Sequence, residues 1–514
     1  MRHIFRRARA GRVIAVAAAV PLVLSLSLAG FAHADPSAPP ERQLAESVQA
    51  PNIKRHLQEF QKIADANGGT RASGTPGFEK SSDYVAGKLR GAGYQVTVQK
   101  FDFPFFQEKS TAALAQVAPD AKTYKPTQPN SSQFGDFATL TYSGSGDVTG
   151  TVQAVDLVLP PPAAPGSTSG CEAQDFAGFT AGNIALIQRG TCTFADKARN
   201  AQTAGAKGVI IFNEGQPGRT DTFTGTLGGP GITVPVVGAS FAVGEDLASP
   251  ANTVVHLKTD TESTTRTTSN IIAETKRGNA DKVVMAGSHL DSVLAGPGVN
   301  DNGSGSAGLL EVALQAAKVP TKNKVRFAWW GGEELGLLGS DHYVTSLPEA
   351  DRTKISVYAN YDMIASPNFS YMIYDGSAGP AGSVDLEKNL ASYFDLLRLP
   401  HVPTALDGRS DYGPFMAVGI PVGGLFTGAE GIKTPEEQKM FGGQAGKAYD
   451  SCYHSACDTI KNIDDKALAV NTGAIAYSLA SFAFSDHPPS RTPAAKVAPE
   501  QRGKVQTQHG GFVM

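Results

Sequence analysis

The feature that most restricts this chain is a pair of adjacent carboxylates, Glu333 and Glu334, flanked by Trp329 and Trp330 before them and by Leu335 and Leu337 after them. The apolar run Val325–Trp330 leading into the pair reads as a buried strand. Burying two neighbouring carboxylates is expensive without a compensating cation, so the fold has to bring positive charge to this point. Other ligand-type residues stand at comparable positions. His289 and Asp291 follow the apolar run Val283–Ala286 in Gly287-Ser288-His289-Leu290-Asp291-Ser292. Asp301 precedes a helix expected near Ser306–Ala317. Asp362 closes the run Val357–Tyr361, and His454 sits in Cys452-Tyr453-His454-Ser455.

These runs, with Tyr371–Tyr374 and Val422–Phe426, alternate with helical patterns at 306–317, 385–397 and 467–484. The alternation predicts an α/β fold, a mainly parallel mixed sheet flanked by helices. Sites in such sheets form at the carboxyl ends of strands, where the ligand-type residues lie. Mixed His, Asp and Glu donors suit zinc better than calcium or magnesium, which take all-oxygen shells. The charge of two zinc ions would be balanced by Asp301, Glu334 and Asp362 with one bridging hydroxide. Taken singly each residue is weak: a lone carboxylate is ordinarily solvated, and Asp301 could simply cap the helix after it.

Elsewhere the chain divides by composition. Residues 1–34 open with Arg2, Arg6, Arg7, Arg9 and Arg12, continue in an apolar stretch from Val13 to Phe31 and end in Ala32-His33-Ala34. This reads as a cleaved signal peptide rather than an anchor, with Arg6-Arg7 compatible with either twin-arginine or ordinary export. The expectation is a secreted, extracellular protein with no stable membrane association. A helical pattern covers 42–66 and a second 78–92, followed by a strand at 94–103. Residues 104–140 read as irregular, strands recur at 152–159, 184–188, 208–212 and 234–237, and Thr259–Ser269 reads as a polar connector. Residues 487–514 read as a disordered tail. With 45 Lys and Arg against 48 Asp and Glu, the surface lacks the basic excess that nucleic-acid binding needs; a monomer is expected.

The motifs at 287–292, Asn300-Asp301-Asn302-Gly303-Ser304-Gly305-Ser306 and Phe327–Glu334, continued by Asp362-Met363-Ile364, Gly408-Arg409-Ser410-Asp411, Gly423–Gly428 and Cys452-Tyr453-His454, resemble the secreted bacterial double-zinc aminopeptidases. The resemblance covers roughly 42–103 and 267–485. It implies two zinc ions, with His289 and Asp362 on one, Glu334 and His454 on the other and Asp301 bridging. It makes Glu333 the general base acting on a zinc-activated water, Asp291 the partner that orients His289, and Tyr453 a donor to the oxyanion, the lesser alternative for Tyr453 being an ordinary packing residue beside a ligand. Arg409, Met363 and Phe426 match substrate-facing positions that favour large apolar N-terminal side chains. Some relatives bind calcium near the C-terminal helix; Ala469 and Gly473 lack the carboxylates for it, so no calcium site is expected.

The interruption, about 104–262, is similar to a protease-associated domain, a β-rich module without catalytic residues, with its core at about 140–255. It would influence access to the cleft or act as a passive spacer. The resulting organisation is a peptidase domain in two parts, 35–115 and 263–486, around an insertion at 116–262. Cys171 with Cys192 would staple the insertion, and Cys452 with Cys457 would bracket His454; a Cys-His metal site is the alternative for the latter pair. The expected substrates are peptide or protein N-termini. Two other readings remain: a double-zinc carboxypeptidase, which would need several arginines where Arg409 stands alone, and a non-catalytic binding protein, which would have lost ligands or base.

Overall fold

The computed structural model describes residues 37–129, 133–249 and 252–490. The expected leader at 1–34 and most of the expected tail lie outside these residues. Four parallel strands form the heart of the peptidase part, in the order Asn323–Trp330, Asn279–His289, Ile355–Tyr361 and Val422–Phe426. Their interior positions are almost continuously buried, as expected of strands covered on both faces. Met372–Tyr374 adds antiparallel to Val422–Phe426, with Val402–Thr404 beyond it at the edge.

The chain leaves Asn279–His289, passes through helix Gly303–Ala316 and returns to one side of that strand; from Asn323–Trp330 it goes on to the other side. The strand order therefore reverses at the carboxyl end of Asn279–His289, the crevice where open α/β sheets place their ligands. Helices 303–316 and Asp465–Phe484 cover one face with Ile53, Leu57, Phe60, Trp329 and Ile475, while Trp330, Tyr343, Tyr358 and Phe415 pack the other. Among the described residues Asp465–Phe484 is one helix long and apolar enough to span a membrane, but most of it is buried here in the protein core.

Three sequence expectations change. The pattern at 42–66 is two helices, Pro40–Ser47 and Ala50–Ala66, because Pro51 is tolerated only in a first turn. Residues 104–118 are not a loop: strand Gln95–Ala118 continues through them, with bulges in its pairing between Glu108 and Ala113 and between Gln116 and Ala118. The Thr-rich stretch is not a connector but part of strand Val254–Glu274, and the two pair antiparallel from Gln95↔Glu274 to Ala118↔Val254. Thr is β-branched and favours a pleated surface despite its polarity, and Pro104 is accommodated because its strand is paired chiefly on one side.

This long ribbon joins the two cores. Near its base, Ile271–Glu274 also pair with Asn323–Trp330; at its far end, Val254–Thr259 pair with Gly146–Val155. Beyond lie the parallel strands Ile184–Gln188, Gly208–Phe212 and Val236–Ala239, so fourteen strands make one continuous sheet. Ile184, Leu186, Ile210 and Phe212 face one apolar cluster of this module, and Ala185, Ile187, Val209 and Ile211 face the other. Both ribbon strands cross the boundaries expected at 115/116 and 262/263.

Candidate metal centre

Gly331 and Gly332 carry the chain away from strand Asn323–Trp330. Gly332 sits at φ +71°, and a Cβ on Gly331 would strike Phe78 and the main chain of Ser269. The turn leaves Glu333 and Glu334 at the sheet's carboxyl edge, their side chains only 10% and 6% exposed. There Glu334 Oε2 lies 3.0 Å from His454 Nε2. His454 Nε2 is also 3.2 Å from Asp301 Oδ2, and the other oxygen of Asp301, Oδ1, is 3.4 Å from His289 Nε2. His289 Nε2 is in turn 3.3 Å from Asp362 Oδ1.

Two donor sets result, His289–Asp301–Asp362 and Asp301–Glu334–His454, each with ligand atoms within 4.8 Å of one another. A metal fits them on independent grounds. Glu334 Oε1 and Asp362 Oδ1 are buried without a hydrogen-bond partner, a costly condition unless a cation takes the lone pairs. Without a cation, protons do that work. Burial opposes charge on the histidines, but Glu333 and Asp362 raise the His289 pKa well above its usual range, and Glu334 and Asp301 bring His454 to about 11. Burial, reinforced by Asp301, pushes Glu334 up to about 7.

The loops are held by residues that carry no sequence motif. Arg71, fully buried, donates from Nε to Pro297 O at 2.8 Å and from Nη2 to Gly298 O at 2.6 Å, and it also reaches Leu290 O. Asp458 accepts the N–H groups of Asn300 and Asp301 at 2.8 and 2.9 Å. Asn302, not Asp301, caps helix Gly303–Ala316 through Gly305 N, which leaves Asp301 free for the cluster. His289 Nδ1 lies 3.1 Å from the main-chain oxygen of Asp291 and 3.6 Å from its carboxylate. A carbonyl can only accept, so Nδ1 keeps its proton and Nε2 is the nitrogen that would be left for a metal once the imidazole is neutral. Asp291 therefore faces His289 Nδ1 with both its backbone oxygen and, farther off, its carboxylate, which also accepts from Glu333 N at 3.3 Å.

The remaining predicted residues lie around this cluster. Tyr453 stacks on His454, ring centroids 3.8 Å apart. Burial, then the charges of Asp301, Glu334 and Glu333, drive its hydroxyl pKa far up, keeping it a donor. Met363 is buried at φ +45°, and its main-chain oxygen accepts from Thr427 N at 3.0 Å; Phe426, the residue before Thr427, is half-buried and stacks on Tyr374. Arg409 is exposed and paired with Glu430 at 3.2 Å. Cys452–Cys457 and Cys171–Cys192 are both disulfide-bonded, which excludes cysteine ligation of a metal beside His454.

A two-sided α/β sheet with convergent His and carboxylate donors at its switch point defines a candidate metal centre with two donor sets. Residues 270–479 match the model of peptidase family M28, and 149–247 that of the PA domain. An aminopeptidase of Pseudomonas aeruginosa is 48% identical over 444 residues, 84% of this chain and 81% of that protein. Leucine aminopeptidase 2 of Trichophyton tonsurans is 41% identical, with 86% of each chain covered. Among solved structures, the aminopeptidase from Aneurinibacillus sp. strain AM-1 is 29% identical with a TM-score of 0.60, covering 88% of this chain and 98% of that one. A zinc aminopeptidase from Bacillus subtilis is 25% identical with a TM-score of 0.56, covering 85% and 96%. The chain belongs to peptidase family M28 and is a metalloaminopeptidase carrying a PA domain.

Proposed function

We propose that this aminopeptidase binds two zinc ions and removes N-terminal residues, preferentially large apolar ones, from peptides outside the cell. The observation that carries the reading is Asp301, whose two oxygens face two different histidines. His289 and Asp362 would complete one site, and Glu334 and His454 the other. Calcium is not part of the proposal, since Ala469 and Gly473 offer no carboxylate on helix Asp465–Phe484. When bound, the metal pair would supply Lewis-acid polarisation of the scissile carbonyl and a lowered pKa for the attacking water.

Glu333 belongs to neither donor set. Burial, and the nearby charges of Asp411 and Asp362, raise its proton affinity despite the opposing effect of His289. That suits a group that takes a proton from water and hands it to the leaving amine. Tyr453, held protonated, would donate to the developing oxyanion. Met363 and Phe426 would give an apolar wall for the N-terminal side chain. Arg409 is already paired with Glu430, which weighs against a carboxypeptidase, where a C-terminal carboxylate needs free guanidinium groups. The retained donors and Glu333 weigh against a non-catalytic protein. Export is supported by the two disulfides, which persist in oxidising compartments. A monomer with no nucleic-acid or stable membrane partner completes the proposal.

One peptide offered free, N-acetylated and C-amidated tests the reading. Acetylation should abolish cleavage and amidation leave it unchanged; the reverse pattern establishes the carboxypeptidase, and no cleavage of any form the binding protein.

A further inference from the structure

Behind Asp362 runs a buried chain of hydrogen bonds. Trp330 Nε1 donates to Tyr358 Oη at 2.7 Å, Tyr358 Oη to Asn360 Oδ1 at 2.8 Å, Asn360 Nδ2 to Ser410 Oγ at 2.9 Å and Ser410 Oγ to Asp362 Oδ2 at 2.7 Å. Trp330, Tyr358 and Asn360 are fully buried and Ser410 is 3% exposed. We infer that Trp330, Tyr358, Asn360 and Ser410 form a one-way relay of positioning residues that fixes which oxygen of Asp362 is left for metal.

The direction follows from the inventory of donors. An indole N–H can only donate, so it occupies a lone pair of Tyr358 and turns that hydroxyl's proton toward Asn360. Asn360 must then present its oxygen to Tyr358 and its NH₂ to Ser410. With a donor already on its oxygen, Ser410 turns its own proton to Asp362 Oδ2. Asp362 Oδ1, buried and without a hydrogen-bond partner, faces His289. Burial and the charge of Asp411 raise the Tyr358 pKa well above its ordinary value, so the link does not lose its proton near neutrality.

The space for the relay is built into the neighbouring strand. A Cβ on Gly287 would lie 2.3 Å from Tyr358 Oη and 2.8 Å from Trp330 Nε1. Gly287 is thus the residue that lets the indole and phenol meet. Phe415 stacks on Tyr358 with centroids 3.9 Å apart, holding the ring without entering the hydrogen bonds.

The inference rests on Asp362 being a ligand, so Asp362→Asn is measured alongside the relay variants. Each zinc-loaded variant is assayed for metal per chain, for zinc affinity by chelator competition and, after cobalt substitution, for its visible absorption. Tyr358→Phe should bind one metal as wild type and the other about 10–100-fold more weakly, the usual cost of losing an outer partner of a ligand. Ser410→Ala should do the same and Ser410→Thr should restore affinity. Phe415→Leu should lower Tm without changing metal affinity or the cobalt spectrum. If Tyr358→Phe does not fold, Asn360→Asp, which keeps the shape but removes the donor to Ser410, is read by the same criteria. Wild-type affinity and spectrum in Tyr358→Phe or, in its place, Asn360→Asp, with an effect in Ser410→Ala, would overturn the relay. Two tightly held metals in Asp362→Asn would overturn the ligand assignment beneath it.

Discussion

Glu333 and Glu334 share one turn and one charge but stand in different company. Glu334 contacts His454 within a donor set; Glu333 does not belong to one. Glu334→Gln is expected to lose a zinc. Glu333→Gln should keep both, leave KM little changed and lower kcat by about 10²–10⁴, the usual worth of general acid–base catalysis; zinc analysis with steady-state kinetics reads both. A second prediction concerns protons. In the metal-free protein His454 holds its proton up to about pH 11, and the His289 pKa is also raised. Metal takes only neutral imidazole, so zinc binding at pH 7 must release protons, and zinc affinity must increase as pH rises through neutrality. Calorimetry in buffers of different ionisation enthalpy measures the release; a buffer-independent heat would contradict it. His289, Glu334 and Asp362 were legible in the sequence because each lies at or just beyond a strand end, whereas Asp301 and His454 sit on loops and were marked only by the motifs around them. Arg71 and Asp458 were not legible, since their partners lie 227 and 157 residues away along the chain, and nothing local to either marks its role.

At the scale of elements, the parallel strands were readable from short apolar runs, because burial on both faces leaves little room for polar residues. The ribbon was hidden for the opposite reason. Thr261–Thr268 contributes mainly polar side chains to a two-stranded segment, so neither hydrophobic alternation nor an apolar run announces it. Its register defines a clean place to cut. Ala112, Leu114, Val255 and Leu257 belong to the core of the inserted module, whereas Phe101, Phe103 and Phe105 pack with Leu294 and Leu338 beside the site. Glu108 and Thr261 face each other between these groups. Deleting residues 109–260 and closing the ribbon with Asn-Gly should leave a folded protein that keeps its metal and cleaves small aminoacyl substrates, since a two-residue turn closes at little entropic cost. A soluble, folded deletion without metal would show that the module helps build the centre.

For the whole molecule, the same deletion separates two contributions to turnover. If the module shapes access to the cleft, the ratio of rates on long and dipeptide-sized substrates should differ between intact and deleted protein; an unchanged ratio would make it a passive spacer. The continuous sheet bears on how such control would operate. A domain on a flexible tether can reorient freely, because the tether transmits neither bending nor torque. Here the module is joined to the peptidase part by a ribbon of paired strands of 24 and 21 residues, embedded in one core up to Phe105 and in the other from Ala112, so its free span is a stub on the order of 20 Å. Its root is hydrogen-bonded to the strand that ends in Trp330, three positions before Glu333. A load applied at the tip is therefore delivered as flexure and twist at the root, beside the carboxylate pair.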